Sequence, residues 1–283
     1  MRSREARMTQ LIEASEDREL SALLDTILER YHYDFRHYAM ASMRRRVTAA
    51  LQSLEIEDMA SLRAQLLSDP LLFARLLDFI TVPVSDMFRD PEYFRALREQ
   101  VVPVLRTYPS LKIWVAGCST GEEVYSLAVV LAEEGLLERT MIYATDINPR
   151  SLAKAEAGIY PLERVRKFTE YHQAAGAKSS LSTYYSATHG AVLFDRKLKK
   201  RVVFSDHSLA TDSVFAEVQL ISCRNVLIYF DKQLQERALS LFNDALCRRG
   251  FLGLGSRETL RFSQVAPAFT EIAAQARIYQ RSH

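Results

Sequence analysis

The residues best suited to chemistry are 114–123, Trp-Val-Ala-Gly-Cys-Ser-Thr-Gly-Glu-Glu, entered from an apolar run at Lys112 and Ile113 and left through the helix-like stretch 124–134. A strand that turns through glycines into a helix start offers unpaired backbone N–H groups to a ligand. Gly117 and Gly121 allow the tight turn and put no Cβ in the ligand's way. Residues 141–146, Met-Ile-Tyr-Ala-Thr-Asp, read as a second buried strand ending in a carboxylate. In a parallel sheet Asp146 then lies beside the first turn, where it can accept hydrogen bonds from ribose hydroxyls. Ser119 stands two residues after Gly117, which breaks the dinucleotide fingerprint, and no phosphate-loop lysine follows. A ligand with an adenosine and no pyrophosphate fits what remains, and S-adenosylmethionine is the common one.

The elements that must position this loop follow from periodicity. Residues 11–79 carry apolar positions at helical spacing, such as Leu20, Leu23, Leu24, Ile27 and Leu28, then Val47, Leu51 and Leu54. They predict a small helical domain with a basic cluster, Arg36, His37, Arg44, Arg45 and Arg46. Three consecutive arginines cannot share one helix face, and the cluster reads either as a solvated surface or as a docking face for an acidic partner. Pro83 interrupts the helical pattern, and Met87 and Phe88 are expected to pack inward, bringing Ser85 and Arg89 with them. Asp90 and Pro91 read as N-cap and first residue of a helix running to about Arg106. Asn148 caps a helix over 149–158. Residues 160–200 break the alternation and predict a small inserted β-subdomain followed by a basic turn at 196–201. Strands at 202–204 and 218–222 resume it, the second ending in Cys223, Arg224 and Asn225. A helix from Asp231 to about Cys247, capped by Gly250, and strands at 251–254 and 277–280 complete an α/β reading.

Composition bounds the function. The chain has 283 residues, 48% of them hydrophobic, with a formal net charge of +2. That size supports one large or two modest domains, and that charge favours neither nucleic acid nor an anionic membrane surface. Apolar runs are too short to span a bilayer, so a cytoplasmic protein without membrane insertion is expected. The three cysteines, Cys118, Cys223 and Cys247, lack metal-ligand spacing and an odd number suits a reducing compartment. None of the six histidines sits in a metal or nucleophile motif.

Four stretches together resemble the CheR family of chemotaxis-receptor methyltransferases: Ser85, Phe88 and Arg89 in a Ser-x-x-Phe-Arg segment; Gly-Cys-Ser-Thr-Gly-Glu-Glu at 117–123; Ala-Thr-Asp-Ile-Asn at 144–148; and Cys-Arg-Asn-Val-Leu-Ile-Tyr-Phe at 223–230. The resemblance implies a helical N-terminal domain over 1–80, a linker and helix contributing to the cofactor cleft over 81–109, and an S-adenosylmethionine-dependent, Rossmann-like α/β domain over 110–283 with an inserted β-subdomain at about 160–201. It implies methyl esterification of glutamates on chemoreceptor-like proteins, with S-adenosylmethionine as cofactor and S-adenosylhomocysteine as product. Carried over by position, Ser85, Arg89, Gly117, Glu123, Asp146, Ser208, Leu209, Arg224 and Asn225 would bind the cofactor. Asp146 would take the ribose and Glu123 the amino group of the methionine part. Arg89 and Tyr229 would stand closest to the chemistry. Two positions depart from the family's habit of asparagine, Pro83 and Ser208.

The resemblance also turns Arg44, Arg45 and Arg46 into a docking surface for the acidic helices of a receptor, makes the β-subdomain a tether for a receptor tail peptide, and implies a monomer. A methyltransferase for another carboxylate acceptor, or for a receptor outside chemotaxis, stays open from the sequence, as does a non-catalytic cofactor-sensing adaptor. A nucleic-acid methyltransferase is disfavoured by the missing base-binding motif and the missing basic domain.

Overall fold

The computed structural model describes residues 2–282, with side chains described from Ser15 onward. The chain divides into two compact units, Met1–Val82 joined by Tyr229–Gln235, and Pro83–Ile228 joined by Glu236–His283. The contribution of 229–235 to the first unit is invisible to a linear reading.

The first unit holds α1 (Arg2–Tyr31), α2 (Met40–Leu54), α3 (Met59–Leu66) and α4 (Pro70–Thr81). Each later helix has a local reason to start or to face inward. Asp58 Oδ1 accepts from Ser61 N at 2.7 Å and opens α3, and Asp69 Oδ1 accepts from Leu71 N at 2.9 Å ahead of Pro70 at the first turn of α4. On α2, Met43, Arg46, Val47 and Ala50 form the buried stripe at the i, i+3, i+4, i+7 spacing of a core-facing side. Residues 229–235 are sewn in by backbone bonds: Ala39 N donates to Tyr229 O at 2.9 Å and Asp231 N to His37 O at 2.8 Å, with Tyr38 and Phe230 bridged as an antiparallel pair.

The second unit begins with α5 (Pro91–Ala96), a π turn (Leu97–Val101) and α6 (Val102–Leu105). The single expected helix is therefore interrupted. Pro103 has no N–H to continue the α ladder, and a π turn absorbs the missing bond. The expectation for Asp90 is also corrected: it lies at φ 57° and makes no side-chain cap bond, because its carboxylate is taken by Arg224. Then come β1 (Leu111–Ala116), α7 (Glu122–Glu133), β2 (Thr140–Asp146), α8 (Pro149–Ala157), β3 (Ile159–Pro161), α9 (Val165–Ala174), β4 (Tyr185–Thr188), β5 (Ala191–Phe194), α10 (Arg196–Lys199), β6 (Val202–Asp206), β7 (Val218–Cys223), α11 (Lys232–Ala245), β8 (Leu246–Leu254), β9 (Phe269–Ala273) and β10 (Ile278–Arg281).

The main sheet has the order β6-β2-β1-β7-β8-β10-β9. Strands β6, β2, β1, β7 and β8 run parallel, while β10 is antiparallel to both neighbours. The central strand β1 is buried at every residue except Lys112, as a strand covered on both faces must be. Helix α7 is buried almost all round, so it belongs to the core. Asn148 Oδ1 accepts from Arg150 N at 2.9 Å and caps α8. Gly250 lies inside β8, not at a helix cap as the sequence reading has it, and β9 is a strand that reading does not contain.

The inserted region forms its own three-stranded sheet, β3-β5-β4. It also carries α9, hidden in a stretch whose polar composition reads as β and loop. Its inward residues Val165, Phe168 and His172 are spaced for a helix, but one of the three is polar, which weakens the pattern.

Candidate functional site

Parallel strands bring their C-terminal ends to one edge, where four adjacent strands release the residues singled out in the sequence. β1 leads to Gly117, β2 ends at Asp146, β6 leads to Ser208 and Leu209, and β7 leads to Arg224 and Asn225. Asp146 and Asp206 are register partners across β2 and β6. Ligands of open α/β sheets bind at this edge.

The loop after β1 is built by close approach. Gly117 has φ +70°, and a Cβ there would lie 2.5 Å from Val226 Cγ2. Gly121 has φ +92°, and its Cβ would lie 2.7 Å from that of Ala155. Both glycines are therefore demanded by backbone and packing, before any ligand is considered. Ser119 N donates to Asp146 Oδ2 at 2.8 Å and Asn148 N to Oδ1 at 2.9 Å, so Asp146 ties the two loops together while each oxygen keeps a further lone pair. Burial pushes the Asp146 carboxyl up, opposed by those backbone donors. Burial also pushes the Cys118 thiol well up, as befits a small residue filling a turn rather than a reactive one. Ser119 Oγ is buried and has no hydrogen-bond partner among the described residues.

Segment 85–90 runs against the start of α7. Phe88 and Asp90 both have left-handed backbones, φ 52° and 57°, and Phe88 is fully buried. Phe88 N donates to Ser126 Oγ at 2.8 Å. Arg224 holds one end of the segment: its Nη2 donates to Arg89 O at 2.8 Å and to Asp90 Oδ2 at 2.7 Å, and its Nη1 to Glu123 Oε2 at 3.1 Å. Its guanidinium stacks 4.2 Å from the Tyr93 ring centroid. Glu123 Oε1 accepts from Ser222 Oγ at 2.6 Å. Arg224 and Glu123 are thus bound into the wall of the site. The guanidinium of Arg89 has no hydrogen bond or ion pair among the described residues, and the Ser85 hydroxyl has none either.

The turn after β7 depends on a residue that no motif announces. Glu258 is 4% exposed, and its two oxygens accept from Gly255 N at 2.6 Å, Asn225 N at 3.0 Å, Val226 N at 2.8 Å and Ile228 N at 3.3 Å. Burial pushes its carboxyl up against the pull of those four donors. Asn225, at φ 62°, is held there with its side-chain amide free of partners among the described residues. Beyond β6, Ser208 N donates to Asp212 Oδ2 at 2.9 Å, Ser208 Oγ accepts from Ala210 N at 3.3 Å, and Leu209 is 7% exposed.

The remaining residues lie in the first unit. Tyr229 sits under Arg46, whose guanidinium carbon is 4.3 Å from the ring centroid, and its hydroxyl has no partner among the described residues. Arg46 is 7% exposed and donates to Ile80 O. Arg44 pairs with Asp17 and Glu16, Arg36 with Asp34 at 2.8 Å, and Arg45 alone of the consecutive three is exposed. Among the described residues no group of three or more His, Cys, Asp or Glu is placed to hold a metal ion, and no helix is long and apolar enough to cross a membrane.

Comparison with known proteins adds the chemistry. Residues 83–278 match the family described as CheR methyltransferase, SAM binding domain, and residues 18–81 match CheR methyltransferase, all-alpha domain. A Pseudomonas putida protein called Cher3 is 52% identical over 270 residues, covering 95% of this chain and 99% of its own length. A chemotaxis protein methyltransferase of Klebsiella aerogenes is 33% identical, covering 79% of this chain and 76% of its own. One of Listeria innocua is 30% identical, covering 80% and 84%. The residues present fit S-adenosylmethionine: a buried Ser119 hydroxyl, without a partner among the described residues, on the loop after β1 stands beside acceptor capacity at Asp146 at the end of β2, with an arginine unpaired among the described residues on the neighbouring segment. The chain belongs to the CheR methyltransferase family, and its cofactor is S-adenosylmethionine.

Proposed function

We propose that the chain is a protein-glutamate O-methyltransferase acting on chemoreceptor-like signalling proteins, with the helical domain of the receptor as substrate and a receptor tail peptide held at the inserted subdomain. The observation that carries this reading is the state of Arg89: a cation on a segment gripped through its backbone, with its own fork left open. A planar guanidinium takes a carboxylate by two parallel N–H bonds, which is what an acidic substrate needs. The relatives named chemotaxis protein methyltransferase support the receptor as its source.

Cofactor contacts are assigned on the same footing. Asp146 accepts from the ribose, Glu123 from the methionine amino group, and Ser85, Gly117, Ser208, Leu209 and Asn225 line the remainder. Arg224 acts here by holding Glu123 and segment 85–90. When bound, S-adenosylmethionine supplies a methyl group on a positively charged sulfur, which an ionised carboxylate can take without a general base. The chain's work is then alignment and exclusion of water. Arg89 orients the acceptor carboxylate. Arg45, with Arg44 beside it, faces the acidic receptor helix.

The test is transfer of labelled methyl from S-adenosylmethionine to a purified receptor cytoplasmic fragment. Base-labile label that disappears when the acceptor glutamates are replaced by alanine is the expected result. Label that resists base, or none at all with cofactor bound, would reject the glutamate ester.

A further inference from the structure

The inserted subdomain does more to the site than stand beside it. Arg164, between β3 and α9, sends its guanidinium into three partners: Nη1 donates to Glu122 Oε1 at 2.7 Å, and Nη2 to Ser85 O and to Asp86 Oδ1, the latter at 3.0 Å. The anchor is firm, since Glu122 is fully buried and its other oxygen accepts from Thr120 Oγ1 at 2.7 Å. Lys167 of α9 takes the second Asp86 oxygen at 2.7 Å. Segment 85–90 needs such holding, because a non-glycine residue in the left-handed region is strained by its own Cβ and the segment contains two, Phe88 and Asp90. Arg224 fixes residues 89 and 90, and Arg164 fixes residues 85 and 86. Two arginines thereby hold the segment at both ends and leave the guanidinium of a third, Arg89, unspent.

We propose that Arg164 is a positioning residue for the cofactor: from the inserted subdomain it clamps Ser85 and Asp86 to the first turn of α7, so cofactor affinity depends on that subdomain. This rests on the reading of Ser85 and Arg89 as site residues. A lysine cannot replace the fork, because one ammonium does not reach three acceptors in a plane.

The experiment is calorimetric titration with S-adenosylhomocysteine of the wild-type chain, Arg164→Gln, Arg164→Lys, Asp86→Asn and the control Arg166→Ala, whose exposed side chain pairs with Glu170. The expected result is a Kd raised on the order of 10- to 100-fold in Arg164→Gln, a smaller rise in Arg164→Lys and Asp86→Asn, and none in Arg166→Ala. In a Ser85→Ala background, Arg164→Gln costs less than it does alone, a coupling that a merely structural role would not produce. Wild-type affinity in folded Arg164→Gln overturns the proposal and leaves the site reading standing. If Arg164→Gln does not fold, wild-type affinity in Asp86→Asn overturns it instead. If the wild-type chain does not bind, the site reading falls and the proposal with it.

Discussion

Helix α7 begins and ends with adjacent glutamates, and the two ends are finished differently. At the far end Glu133 and Glu134 are closed in. Glu133 takes Arg98, His172 Nε2 at 3.1 Å and Ser179 Oγ at 2.7 Å. Glu134 takes Arg98 at 3.0 Å, Arg106 at 2.6 Å and Lys178 at 2.7 Å. Acids at a helix C-terminus oppose its dipole, so this cluster stands only because cations surround it. At the near end Glu122 and Glu123 favour the dipole and take one arginine each, Arg164 and Arg224. Those arginines pass the restraint on to segment 85–90, and Arg89 and Ser119 are left with unused bonding capacity. The same residue types therefore build a closed brace at one end and an open site at the other.

The largest effect that can break this comparison is at the closed end. Glu133→Ala leaves Arg98, 7% exposed at its side chain, without one of its two carboxylates, and removing one partner of a buried pair costs about 3–5 kcal/mol. Chemical denaturation should show that loss while the Kd for S-adenosylhomocysteine stays unchanged in folded protein. Arg89→Ala is the opposite case: turnover should fall on the order of 100-fold or more, as for other groups aimed at the reacting centre, with the denaturation midpoint unmoved. If stability and function moved together in both variants, the two ends would not be separable.

A pH measurement sharpens the same point. Burial alone would raise the Glu133 carboxyl, but bonds from His172, Ser179 and Arg98 outweigh it and bring it down to about 2 from an ordinary value of 4.5. The unfolded chain takes up this proton first as pH falls, so the contribution is complete above about pH 4.5 and is lost toward about pH 2. Glu133→Gln should flatten the acid limb of stability in that window. The smallest effect is expected at the exposed docking face: Arg45→Glu should raise the receptor Michaelis constant roughly two- to fivefold at low salt, as a single rim charge does, and less at high salt. Cofactor binding should not respond.

The sheet edge was legible because it rests on local signals. An apolar strand, a glycine turn and a terminal carboxylate recur within 33 residues, 114 to 146, and each carries its own periodicity or turn chemistry. The residues that hold the site were not legible. Glu258 sits in Gly-Ser-Arg-Glu-Thr-Leu with no motif, and three of the four amides it binds lie some thirty residues earlier. Arg164 is one cation among several in a polar stretch, and only the fold brings it to Asp86 and Glu122. Asp90 shows the converse failure: Asp-Pro at a helix start is a good local cap signal, and a tertiary partner, Arg224, overrode it. Arg46 shows it again, because a charge at a core-facing position of α2 reads as surface until its partners Ile80 and Tyr229 are seen.

The assignment of 229–235 to the helical unit bears on how the chain is made. During synthesis the four helices emerge well ahead of their last piece, because the strip that pairs with residues 37–39 and lies under Arg46 is encoded 147 residues after Val82. At typical elongation speeds of about 5–20 residues per second the nascent unit waits on the order of 10 s for its last piece. Until then Ala39 N and His37 O lack their partners and the Arg46 guanidinium has no ring beside it. The helical unit is translated before most of this sequence and completed only after most of it.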